Sequence, residues 1–200
     1  MSFSKESWPR SKPIRKLILE SEIDILRDVS ERLESAGIAF MLTGSVAMNY
    51  YAQPRMTRDI DLVVALDELQ TEVIVGLFKV DYYIDGQAVS RAIKQRSIFN
   101  LIHNDTIIKV DCIVLKNDAY RQEEFGRRHR VTIADFETWI VSREDLILSK
   151  LYWARESKSE VQLRDVRNLL SFDSDWAYLH SRAQLLRVEE LLNEVLANHE

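Results

Sequence analysis

The chain has 200 residues, 46% apolar and 30% charged, with only 5 glycines and 3 prolines, which excludes a disordered, collagen-like or loop-dominated protein. A net charge of −5 excludes a uniformly basic nucleic-acid binder but leaves room for local basic surfaces. The single cysteine, Cys112, cannot close an intrachain disulfide and the four dispersed histidines have no zinc-ligand spacing, so a reducing compartment, the cytosol, is expected.

Residues 1–13 read as a loose arm, polar, broken by Pro9 and Pro13, and without the apolar core of a signal peptide. From Ile14 the apolar residues Leu17, Ile18, Ile23, Ile25, Leu26, Val29 and Leu33 recur on one helical face, up to a natural C-cap at Gly37. Residues 38–42 are too short an apolar run for a helix and lead into Thr43-Gly44-Ser45, so a buried strand enters a tight turn there. A short helix over 46–53 is stopped by Pro54. Arg55 to Arg58 is a polar connection, residues 60–64 a second strand, and Asp67 caps a helix through about Leu77.

Further on, the pattern predicts a short strand over 82–84, a helix over 87–95, and a hairpin of strands 97–103 and 106–115 around Asn104-Asp105. A charged helix over 118–129 and an edge strand over 130–134 follow. Ser142-Arg-Glu-Asp145 has the form of a capping box, and helices over 143–156, 160–171, 176–186 and 188–197 complete the chain. The expected organisation is an arm (1–13), a mixed α/β core (14–140) and a helical region (141–200). No apolar stretch is long enough to span a membrane.

Chemistry concentrates in Asp59-Ile60-Asp61. On a strand both carboxylates face one side while Ile60, Leu62 and Val64 face the other. Like charges about 4 Å apart repel by roughly 4 kcal/mol at an effective dielectric near 20, so either one carboxylate protonates or a cation lies between them. A hard ion such as Mg²⁺ is the natural occupant. Asp111, on a strand between Val110 and Cys112, completes a three-carboxylate cluster if the two strands are neighbours. With metal such a cluster serves in-line phosphoryl or nucleotidyl transfer. In the turn, Gly44 allows close backbone approach, the helix N-terminal amides offer an anion site, and Ser45 adds a hydroxyl.

Leu42-Thr-Gly44-Ser45, then Thr57-Arg-Asp59-Ile-Asp61-Leu-Val, then Val110-Asp111 resembles the nucleotidyltransferase superfamily typified by DNA polymerase β. The likeness covers residues 38–115. The helical part, with Lys150, Arg155 and Gln162-Leu-Arg-Asp165, resembles the AbiEii-type bacterial nucleotidyltransferase toxins and related proteins. These resemblances imply a mixed twisted sheet with helices on one face, and a C-terminal helical region that closes a nucleotide cleft. They imply that Asp59, Asp61 and Asp111 carry Mg²⁺ or Mn²⁺, with Asp111 also deprotonating an acceptor hydroxyl. Gly44, Ser45 and Lys150 would hold the triphosphate of an NTP, with Asp165 sharing the site. The implied reaction moves NMP to an RNA, tRNA or small-molecule hydroxyl, and an antitoxin partner is implied if the chain is a toxin.

Plainer readings stand beside these. Ser45 serves as a helix cap, Asp59 pairs with Arg58, and Asp61 and Asp111 face water. Lys150 lies on a solvated helix face, and Asp165 pairs along its helix with Arg164 or Arg167. Trp153 either packs or stacks a base. The basic groups Lys5, Arg10, Lys12, Arg15, Lys16 and Arg121, Arg127, Arg128, Arg130 are solvated or touch an RNA backbone. Two other functions compete: a nucleotide-binding or antitoxin-like module without turnover, and a metal phosphohydrolase.

Overall fold

Alternation within the short apolar runs decides how the sheet is built. In Asp59–Val64 (β2) and Lys109–Val114 (β5) every second side chain is buried, leaving the acids on the other face. The computed structural model describes residues 14–55, 57, 59–157, 159–170 and 173–197. The arm, Arg58 and the side chains of Arg15 and Lys16 lie outside what is described.

The element order is α1 (Ile14–Ser35), β1 (Phe40–Thr43), α2 (Gly44–Tyr51), β2, α3 (Thr71–Phe78), β3 (Tyr82–Tyr83), α4 (Gly86–Gln95), β4 (Ile98–His103), β5, α5 (Ala119–Gly126), β6 (His129–Ile133), β7 (Phe136–Ile140), α6 (Arg143–Ser157), α7 (Glu160–Leu169), α8 (Trp176–Leu185) and α9 (Glu189–Ala197). The strands form one mixed, twisted, open sheet in the order β3-β4-β5-β2-β1-β7-β6. The central pair β2 and β5 is parallel, with Asp61 opposite Asp111, while β1 runs antiparallel to β2 and sets Thr43 opposite Asp61. Antiparallel β4 places Asn100 opposite Asp111.

One sheet face is apolar. Ile60, Leu62, Val64, Phe99, Leu101, Val110, Cys112 and Val114 join a cluster with Leu26, Val29 and Leu33 of α1, Ile74 and Phe78 of α3, and Val89 and Ile93 of α4. Burying each such side chain contributes about 1.5–3 kcal/mol. Cys112 is a buried hydrophobe whose thiol pKa is pushed up by burial and then by Asp111. On the opposite face lie Asp59, Asp61, Val63, Lys109, Asp111, Ile113, Ile98 and Asn100. The cluster also takes in Leu146, Ile147 and Leu151 of α6 and Val166 and Leu169 of α7.

Four expectations need correction. The charged helix ends at Gly126, and β6 already begins at His129. Its hairpin partner β7 was not anticipated; the turn has Ala134 at φ 55 beside Asp135, with no Gly or Asn to signal it. Residues 104–108 turn before β5 begins at Lys109, with Ile107 at φ 57. Ser142 and Asp145 do not close a capping box. Asp145 N–H donates to Ser142 Oγ at 3.2 Å, but the Asp145 carboxylate takes the Ser142 hydroxyl, at 2.6 Å, rather than a backbone amide.

The second basic group is consumed internally. Arg121 pairs with Glu124, Arg127 with Asp145, and Arg130 with Glu34 and Glu137, while Arg128 lies over the Phe125 and Trp139 rings. No helix among the described residues is long and apolar enough to cross a membrane.

Candidate active site

The turn after β1 is shaped by Asp61. Gly44 opens α2 at φ +64, a conformation that costs any residue with a Cβ about 1–2 kcal/mol. A Cβ there would also lie 2.0 Å from Asp61 Oδ2, so the carboxylate occupies the space that a side chain would need. The Ser45 backbone N–H donates to that same carboxylate. Asp61 is pushed up to about 6, first by burial and then by the charge of Asp111, with Asp59 adding; the Ser45 amide and the more distant Lys150 oppose the shift.

Asp111 and Asp59 share this face but are more open, with side chains 20% and 48% exposed. Lys109 Nζ lies 3.0 Å from Asp111 Oδ2 and 3.6 Å from Asp59 Oδ2, and Asn100 Nδ2 donates to Asp111 Oδ1. In this arrangement no group of three or more Asp, Glu, His or Cys among the described residues is gathered around one point as an ion's ligand set. The donor chemistry nevertheless fits a hard divalent cation. All three acids are carboxylates on one face, and the Lys109 ammonium already stands between two of them as a surrogate positive charge.

A second network backs the turn. Lys150 and Asp165 are buried, at 5% and 0% exposure, and Lys150 Nζ donates to Asp165 Oδ2 at 2.8 Å. Arg55 clasps the same carboxylate through Nε at 3.1 Å and Nη2 at 3.0 Å. The Nη2 group of Arg55 also donates to Ser45 Oγ at 2.6 Å. Asn49 fixes this arginine by bonding both its backbone N–H and its carbonyl, each at 2.9 Å. Burial alone would raise the Asp165 carboxyl, but Arg55 and Lys150 together hold it below the usual carboxylate range. Burial pushes the Lys150 ammonium down, and Arg55 adds to that, against the pull of Asp165.

These residues meet along a cleft of about 300 Å³ between the open sheet face and α5, α6 and α7. Gly44, Ser45, Asp61, Lys150 and Gln162 line it, together with Val63, Ile98 and Ile113 of the sheet, Trp153 at 61% exposure, and Arg121, Glu124 and Ser149. The structure therefore brings Gly44, Ser45, Asp61 and Lys150 to one cavity. Asp59 and Asp111 stand beside it on the same sheet face, and Asp165 lies behind Lys150 without reaching the wall. Ser45 is no helix cap, and Asp165 pairs with Lys150 and Arg55 rather than along its own helix.

Sequence reasoning missed Arg55, Asn49, Lys109 and Asn100. Lys109 was within reach, because strand parity puts it on the same face as Asp111. The others depend on loop conformation and strand register.

No protein-family model and no curated protein matches the sequence. Solved structures do match. The solution structure of the antibiotic-resistance factor ANT(2'')-Ia superposes with a TM-score of 0.56 at 13% identity, covering 90% of this chain and 96% of that one. The lincosamide antibiotic adenylyltransferase LnuA, lincomycin-bound, gives 0.51 at 18% identity, covering 75% and 95%. An antigenic nucleotidyltransferase-like protein from Paracoccidioides brasiliensis gives 0.52 at 18% identity, covering 84% and 88%. An open, twisted, mixed sheet with flanking helices is thus an architecture this chain has in common with them, and its fold is that of the nucleotidyltransferases.

Proposed function

We propose that the protein transfers a nucleoside monophosphate from an NTP to a hydroxyl acceptor. The observation that carries this reading is the packing of Asp61 against Gly44 and the Ser45 amide, with Asp111 in register beside it and Lys150 on the same cleft. The α2 N-terminus, the Ser45 amide and Lys150 bind the triphosphate, and Arg55 holds Ser45 and Asp165 in place. The acceptor oxygen attacks the α-phosphorus, the bond to the bridging oxygen breaks, and pyrophosphate leaves. Asp111 takes the acceptor's proton. Asp59, Asp61 and Asp111 would hold a divalent cation, Mg²⁺ or Mn²⁺, whose chemistry is to neutralise charge on the transferring group.

A small-molecule acceptor is favoured, because neighbours of this fold include an adenylyltransferase of lincosamide antibiotics and ANT(2'')-Ia in complex with adenylyl-2''-tobramycin. RNA, with a toxin role and an antitoxin partner, is the other acceptor class of the same reading. A nucleotide-binding module without turnover is the second reading. It is favoured by one observation: both oxygens of Asp111 are already engaged, by Lys109 and Asn100.

Incubation with each labelled NTP, Mg²⁺, and either a panel of aminoglycosides and lincosamides or total RNA tests the proposal. Labelled acceptor and pyrophosphate are expected, and Asp61→Ala should abolish both while the protein stays folded. Absence of product with all four NTPs, alongside no Mg²⁺-dependent NTP binding in a calorimeter, would establish the silent module instead.

A further inference from the structure

Lys109 precedes Asp111 by two residues on β5 and lies opposite Asp59 on β2, so its side chain shares the acidic face. Its ammonium bridges Asp59 Oδ2 and Asp111 Oδ2, while Asn100 occupies the other oxygen of Asp111. The side chain is 37% exposed, so the four-carbon stem has open solvent into which to swing. A single ammonium offsets one charge among three neighbouring carboxylates, has no preferred coordination geometry, and cannot share their oxygens with a divalent ion at contact distance.

We propose that Lys109 is an intrinsic counter-ion, a positioning residue that holds Asp59 and Asp111 together before a divalent cation arrives and must leave them when it does. The inference rests on the nucleotidyltransferase reading insofar as it takes Asp59, Asp61 and Asp111 as the cation's ligands. Its consequence is an exchange. Departure of Lys109 frees Asp59 Oδ2 and Asp111 Oδ2 for the cation, while Asn100 stays on Oδ1 and fixes the plane of the Asp111 carboxylate.

Calorimetric titration of the 200-residue chain with Mn²⁺, without nucleotide, tests this. Lys109→Met should bind Mn²⁺ about tenfold more tightly than wild type, through loss of the competing charge. Lys109→Arg should stay near wild type, and Asp61→Asn should abolish the gain when combined with Lys109→Met. Thermal melts should cross over: Lys109→Met melts below wild type in chelator and above it in saturating Mn²⁺. An unchanged or weaker Mn²⁺ affinity in Lys109→Met overturns the proposal, as does a gain that survives Asp61→Asn. If Lys109→Met does not fold, Lys109→Gln carries the same comparison. Because the readout contains no NTP, the two readings fail separately. Loss of the exchange with NMP transfer intact removes only the role of Lys109, and a Mn²⁺ gain without transfer counts only against the enzyme.

Discussion

Asp145 and Asp165 are both completely buried aspartates on neighbouring helices, both held by an arginine, yet they belong to different kinds of structure. Asp145 accepts hydrogen bonds from the Tyr120 and Tyr178 hydroxyls at 3.2 and 2.7 Å, from Arg127 Nε at 2.9 Å and from Ser142 at 2.6 Å. Arg127 in turn lies 3.8 Å over the Tyr178 ring, so every strong donor is spent tying α5, α6 and α8 together. Around Asp165 the donors continue outward: Arg55 on to Ser45, and Lys150 on to Gln162, both on the cleft wall. A buried ion pair says little by itself about function. What separates these two is whether the cations have a second partner in a cavity.

The largest expected effect breaks the closed member of the pair. Asp145→Ala strands Arg127 and two tyrosine hydroxyls, and should cost about 3–5 kcal/mol in urea unfolding. A loss below about 1 kcal/mol would show the hub to be incidental. Gly44→Ala strikes the open region at its tightest point. The left-handed backbone and the contact with Asp61 should together cost about 2 kcal/mol and suppress transfer even where the protein remains folded. Wild-type activity in that variant would remove the turn from the site.

The pH dependence of stability sharpens the comparison further. Asp61 is raised from 3.8 to about 6 in the folded chain, so the folded state holds this proton more tightly than the unfolded one. Its stabilising contribution is complete below about pH 4 and is lost as pH rises through about 6. In chelator, Asp61→Asn should therefore gain about 2 kcal/mol relative to wild type between about pH 4 and pH 7, a figure already discounted for water access. A constant difference across that range would show that Asp61 is not strained by its neighbours. The smallest effect belongs to Lys150→Ala, which should weaken NTP binding about tenfold with little change in the turnover of bound substrate, since Arg55 still holds Asp165. An unchanged affinity would assign Lys150 to the support of α7 alone.

Much of the fold can be read from residues 38–115, because the apolar runs over 38–42 and 60–64 are too short for helices and mark the places of β1 and β2. The acid cluster was legible for a related reason: a period of two puts Asp59 and Asp61 on one face, and an Asp between Val110 and Cys112 belongs on a strand. The β6–β7 hairpin was not legible, since Ala134-Asp135 makes a turn that usually advertises itself through Asn or Gly. Arg55 was hidden more deeply. A connector residue has no periodicity, and its carboxylate partner lies 110 positions further along the chain.

The clamp that Asn49 places on the backbone of Arg55 makes the length of the α2–β2 connection a matter of chemistry. One residue added between positions 52 and 54 would leave α2 and the strand intact yet pull the guanidinium out of step with the serine hydroxyl and the distant aspartate it joins. A surface link of this sort ordinarily accepts insertions with little consequence. Here it behaves as a ruler, and chains of this fold that keep the same three side chains should keep the same spacing between them.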